Sequence, residues 1–107
     1  MRRVVIESPY AGEVDRNIHY ARRAIHDCLT RGEAPIASHL LFTQPGVLDD
    51  NDSRERSLGI AAGLAWMPCA DAIVVYTDYG VSPGMQAAIE RAKFLQIPVE
   101  YRSLKKQ

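Results

Sequence analysis

The stretch "TDYGVSPGMQAAIERAK", residues 77–93, holds the residues best placed for chemistry. It reads as the end of a strand, a Gly/Pro turn and the opening of a helix. Open α/β sheets bind ligands in the crevice beyond the carboxyl ends of their strands, and this is such a place. Ser82 and the backbone around Gly84 offer a hydroxyl, free N–H groups and the positive end of a helix. Those are the elements of a phosphate or carboxylate pocket. The helix then presents Met85, Gln86, Ala87 and Ala88, none of them an acid, base or nucleophile. Two more segments fall at strand ends: Ser8–Gly12, with Pro9 and Tyr10, and Ser38–Phe42, with His39.

Each polar candidate also has a plain structural reading. Ser8-Pro9 is a turn in its own right, because a residue before proline is extended. Tyr10 can cover the edge of the core. Asn17 and Asp15 suit the first turns of a helix. His39 can be a hydrogen-bonded loop histidine. Asp78 can cap a turn, and Arg56 can pair with Asp52 one helical turn earlier. His19 and His26 share a helix face, but no Cys or acid joins them at ligand spacing, so no metal site is expected. The glycines match neither the dinucleotide fingerprint nor a Walker loop. A nucleophile elbow at "GVSPG" is disfavoured, because Pro83 stands where the helix must begin.

The elements that must position these residues follow from pattern. Residues 3–7 (RVVIE) form a short β-branched run, expected as a buried parallel strand. Residues 14–31 place Ile18, Ala21, Ile25, Cys28 and Leu29 on one helical face, and Gly32 suits a left-handed cap. Residues 34–38 form a weak second strand. "HLLFTQPGVLDDNDS" reads as a long loop. Asp52 or Ser53 caps a helix over residues 54–66, with Leu58, Ala61, Ala62 and Ala65 inward. Residues 71–77 form a continuous apolar strand, as in the middle of a parallel sheet. A third helix runs from Pro83 to about residue 95, and residues 97–102 form the last strand. Right-handed crossovers turn this order into a three-layer α/β/α sandwich. The expected fold class is α/β, Rossmann-like or flavodoxin-like, with a parallel sheet of four to five strands in one domain over 1–107.

Thirteen basic and thirteen acidic residues cancel, so no net charge draws the chain to a nucleic-acid polymer or a membrane surface. The two cysteines are too few for a disulfide scaffold. Cys28 and Cys69 read as small buried hydrophobes of a reduced, cytoplasmic protein. No apolar run is long enough for a membrane span, and Val4-Val5-Ile6 is too short for a signal peptide.

Taken in order, "VVIESPYAGEVDRNIHYAR", "APIASHLLFTQ", "RERSLGIAAGLAWMPCADAIVVY" and "SPGMQAAIERAKFLQIPV" resemble the nucleoside 2-deoxyribosyltransferase superfamily, in a branch of small phage and bacterial domains. The resemblance covers almost the whole chain. It implies cleavage or exchange of the N-glycosidic bond of a nucleoside or nucleotide, without metal or organic cofactor. It implies a homodimer or higher oligomer, for which Leu40-Leu41-Phe42 and Trp66 could supply an apolar surface. By likeness, Ser8, Pro9 and Tyr10 wall the base and sugar pocket. Ser82, Gly84 and Met85 hold the 5′ end or its phosphate, Asp78 lies near the sugar or leaving base, and Asn17, His39 and Arg56 frame the pocket.

The departure lies at the centre. The family pattern Ser-x-Gly-(three residues)-Glu-x-x-x-Ala puts its nucleophilic glutamate at position 88, where this chain has Ala88. Glu90 is turned about 200° around the helix and faces away. Three accounts of Ala88 stand: a deliberate Glu-to-Ala change, a natural loss that leaves a nucleotide-binding module (a sensor or sponge), or a takeover by Asp78 as base for direct water attack. The first fits the otherwise unaltered frame. In each of the first two, the chain is inert as an enzyme while binding survives.

Overall fold

A computed structural model describes residues 1–105. Its elements run β1 (Arg2–Glu7), α1 (Val14–Thr30), β2 (Glu33–Ile36), α2 (Ser38–Leu41), α3 (Ser53–Trp66), a 3-10 turn (Met67–Cys69), β3 (Ala72–Tyr76), α4 (Pro83–Phe94) and β4 (Val99–Arg102). The four strands are all parallel, in the order β2-β1-β3-β4. This is the expected α/β fold, with four strands rather than five.

Alternation along the strands assigns two cores. Val4 and Ile6 of β1 join Ala72, Val74 and Tyr76 of β3 under α1, with Tyr20, Ala21, Ala24 and Cys28. Val5 with Ile73 and Val75 faces the opposite way, under Met85, Ala88, Ile89 and Ala92 of α4. β3 is buried at all five positions, as a central parallel strand covered on both faces must be. Local signals set the boundaries. Asp52 accepts from the N–H groups of Arg54 and Glu55 and so caps α3. Gly32 takes φ +78 just past α1, a conformation that costs glycine little.

Several expectations are corrected. The loop expected after β2 opens with the one-turn helix α2. It is too short for periodicity to reveal, and burial of Leu40 stabilises it. No residue of α3 is buried, so Leu58, Ala61, Ala62 and Ala65 do not form an inward face. The contact runs instead through glycine. A Cβ on Gly63 would lie 2.6 Å from Ser38 Oγ, and one on Gly59 would lie 3.2 Å from Leu48 Cδ1. The helix thus approaches its neighbours where it has no side chain, and Leu58, Ile60, Leu64 and Trp66 stay exposed. Leu29 and Cys69 are exposed as well, not buried. Among the described residues no helix is long and apolar enough to cross a membrane.

Candidate functional site

The chain leaves β1, makes β2 on one side, and returns over the sheet to β3 on the other. Strand order therefore switches between β1 and β3, and a crevice opens beyond their carboxyl ends. A cavity of about 650 Å³ occupies it, within the usual range for small-molecule sites. Its walls come from four places. The end of β1 and its loop give Glu7, Ser8 and Tyr10; α2 and its flank give His39 and Thr43; α3 gives Arg56 and Gly59; and α4 gives Ser82, Gly84, Met85, Ala88 and Arg91.

Eight of the expected site residues therefore meet at one cavity: Ser8, Tyr10, His39, Arg56, Ser82, Gly84, Met85 and Ala88. Ser8 and His39 are joined, Oγ to Nε2, at 2.7 Å. His39 is partly buried, and desolvation takes its pKa down to about 4, so it is neutral near pH 7. Ser82 is the N-cap of α4, its Oγ accepting from the Met85 N–H at 3.3 Å. Pro83 follows at the first helical position and gives up no hydrogen bond there. Arg56 makes no ion pair with Asp52, whose carboxylate is spent on the helix cap.

Three expected residues lie elsewhere. Pro9 is buried but does not line the cavity. Asn17 is buried on α1, where its Nδ2 donates to the carbonyls of Tyr10 (2.8 Å) and Ala11 (3.2 Å). It holds the loop that carries Tyr10 rather than any ligand. Asp78 is on the opposite side of the sheet. Residues 72, 74 and 76 face α1, and Asp78 continues that parity. Tyr20 donates to Asp78 at 2.6 Å, and the N–H of Leu104 donates to it at 2.8 Å. Desolvation alone would raise its pKa. The hydrogen bonds from Leu104, Ser103 and Tyr20 outweigh that and hold it at about 2. A carboxylate so engaged is no free base for water attack.

The residue sequence reasoning missed is Glu7. It follows Val5 by two positions, so it faces α4 and the cavity rather than α1. It is partly buried, and desolvation is the sole cause that pushes its pKa up to about 8. The signal was present: one carboxylate closes the apolar run Val4-Val5-Ile6. Arg91 was also missed; it lines the cavity too, with its guanidinium 5.5 Å from the Phe94 ring centre. Glu90 is exposed and pairs with Gln86 at 3.4 Å, away from the site. Among the described residues no group of three or more His, Cys, Asp or Glu side chains could hold a metal ion.

A family model described as Domain of unknown function (DUF7768) matches residues 2–102. The chain belongs to this family. No curated protein matches it. Among solved structures, it is similar to a 2-deoxyribosyltransferase from the psychrotolerant bacterium Bacillus psychrosaccharolyticus, a biocatalyst for the synthesis of antiviral and antitumoral nucleosides. The TM-score is 0.66 at 17% identity, over 98% of this chain and 74% of that one. The two share a fold, and the nucleoside resemblance read from the sequence meets its structural counterpart at that level.

Proposed function

We propose that this domain binds a nucleoside or nucleoside 5′-monophosphate in the cavity and acts on its N-glycosidic bond without a glycosyl-enzyme at position 88. The observation that carries the reading is the setting of Ala88. Its methyl group lines an open cavity at the switch point, on the same helix whose N-terminal turn, Ser82 to Gly84, lines that cavity too. A phosphate suits that turn, with Arg56 on the facing wall of the cavity to pair with it. The sugar then lies toward Ala88, and Tyr10 offers a ring face to the base. The similar fold of a 2-deoxyribosyltransferase supports a nucleoside-type ligand. With no carboxylate at 88, water is the acceptor the site can use.

The test is release of free base from a panel of nucleosides and 5′-monophosphates, followed by chromatography beside calorimetric binding. Ala88→Glu is expected to gain base release at least tenfold over the unaltered chain, by supplying a nucleophile. Failure of every nucleoside and nucleotide to bind either form overturns the reading.

A second reading has its own support. No nucleophile stands at position 88, which suits a module that holds an intact nucleotide as a sensor or sponge. It predicts tight binding and recovery of unaltered ligand with either residue at 88. In both readings a homodimer covers the part of α3 around Leu58 and Trp66, which are exposed and do not line the cavity. Of the stretch first considered for that role, Leu40 is buried and only Leu41 is largely exposed. Light scattering of the purified chain measures the oligomer.

A further inference from the structure

We propose that Glu7 is the catalytic acid of this site, its carboxyl delivered by β1 to the cavity that α4 leaves without one. The proposal rests on the N-glycosidic reading above. Three features of the geometry carry it. Strand parity turns Glu7 to the same side as Val5, into the layer that holds Met85 and Ala88. Glu7 lines the same cavity as Ala88. Among the described residues its carboxyl meets no hydrogen-bond donor and no cation, although it is partly buried. Among the described residues no side-chain oxygen is both fully buried and unpartnered, so the unpaired Glu7 carboxyl keeps its oxygens open to the cavity. One that faces a cavity is free to serve a ligand.

The neighbours leave the proton-donor role to it. His39 from α2 is neutral and already bonded to Ser8. Arg56 from α3 and Arg91 from α4 also line the space, and guanidinium groups keep their protons. Asp50 and Glu55 lie on the α3 side of the same cavity, away from the sheet end where β1 delivers Glu7 opposite α4. The cleavage balances with this one group. The Glu7 proton passes to a ring nitrogen of the base as the C1′–N bond breaks with its electron pair on nitrogen. The oxygen of a water adds to C1′, and the proton that water sheds returns through solvent to the Glu7 carboxylate. Nucleotide plus water becomes free base plus sugar 5′-phosphate, and the acid is regenerated. A carboxyl with a raised pKa is how glycosidases protonate a leaving group.

The experiment compares the unaltered chain, Glu7→Gln and Ala88→Glu on deoxyribonucleoside and ribonucleoside 5′-monophosphates between pH 5 and 9.5. Free base is read by chromatography and nucleotide binding by thermal shift. The unaltered chain is expected to release base at a rate that falls above about pH 8, as Glu7 loses its proton. Glu7→Gln should lower release on the order of a hundredfold or more, abolish that alkaline limb and leave the nucleotide-induced thermal shift in place. Equal release from Glu7→Gln overturns the proposal, as does loss of binding in step with loss of rate. Release from Ala88→Glu but not from the unaltered chain overturns the acid role and leaves the site reading intact. A nucleotide that binds but is released unaltered by all three forms overturns both the acid role and the glycosidic reading, in favour of the binding module.

Discussion

The two faces of the sheet treat their polar groups in opposite ways. On the α1 face each is paired. Tyr20 holds Asp78, the Tyr76 hydroxyl donates to Asp27 at 2.7 Å, and Arg102 grips Glu33 with two bonds of 2.7 Å. Those partners hold the carboxyl groups of Asp78 and Glu33 below the usual carboxylate range. On the α4 face Glu7 has no partner among the described residues and is pushed up to about 8. Desolvation acts on both faces, and what differs is whether donors answer it. Where they do, the polar group is part of the scaffold. Where they do not, the unpaired group borders open space and awaits a ligand.

Breaking the paired face has the largest effect. Arg102→Ala removes both 2.7 Å bonds to Glu33, whose side chain is only 8% exposed, and leaves it Arg2 alone at 3.2 Å; the expected cost is about 3 kcal/mol in denaturant unfolding at pH 7. Because Arg102 depresses the Glu33 pKa in the folded state, that contribution is present above the unfolded value and fades as pH falls through the folded one. The loss caused by the substitution should therefore shrink in acid. Glu7→Gln, on the unpaired face, carries the opposite sign. A raised folded pKa favours the fold only below the ordinary glutamate value, and that support is lost as pH rises toward about 8. The variant should thus melt several degrees higher than the parent at pH 8 and at the same temperature near pH 4, as differential scanning calorimetry would record. Removing one donor from the paired face is the mildest change. Tyr20→Phe should cost about 1–2 kcal/mol and let the Asp78 pKa rise, which carbon-detected NMR titration can follow.

The same parity explains how far the sequence could be read. The strands, α1, the start of α3 and α4 were legible because continuous apolar runs, Gly32, Asp52 and Pro83 act locally. The cavity's position followed from strand order, which put Ser8, Tyr10, His39, Ser82, Gly84 and Met85 beside it, while Arg56 and position 88 came from the family resemblance. Asp78 and Glu7 exchanged places for one reason. Both stand at carboxyl ends of central strands that are apolar on both faces, so hydropathy does not tell which side either residue takes. Only the packing of α1 against Val4 and Ile6, and of α4 against Val5 and Val75, settles it. The inward face of α3 was illegible for another reason. Its contacts run through Gly59 and Gly63, and glycine adds nothing to a hydrophobic pattern.

Pro35 lies within β2, opposite Val4 of β1, and β2 is an outermost strand. Proline has no N–H to give, and sheets accept it at their margins where its nitrogen points away from the ladder. The rim of the sheet on that side therefore cannot zip onto a strand from another molecule, a hazard that open β-margins otherwise carry. Backbone pairing between copies is hindered on that side, so the margin it leaves open is the opposite one, β4, whose residues Val99–Arg102 include no proline.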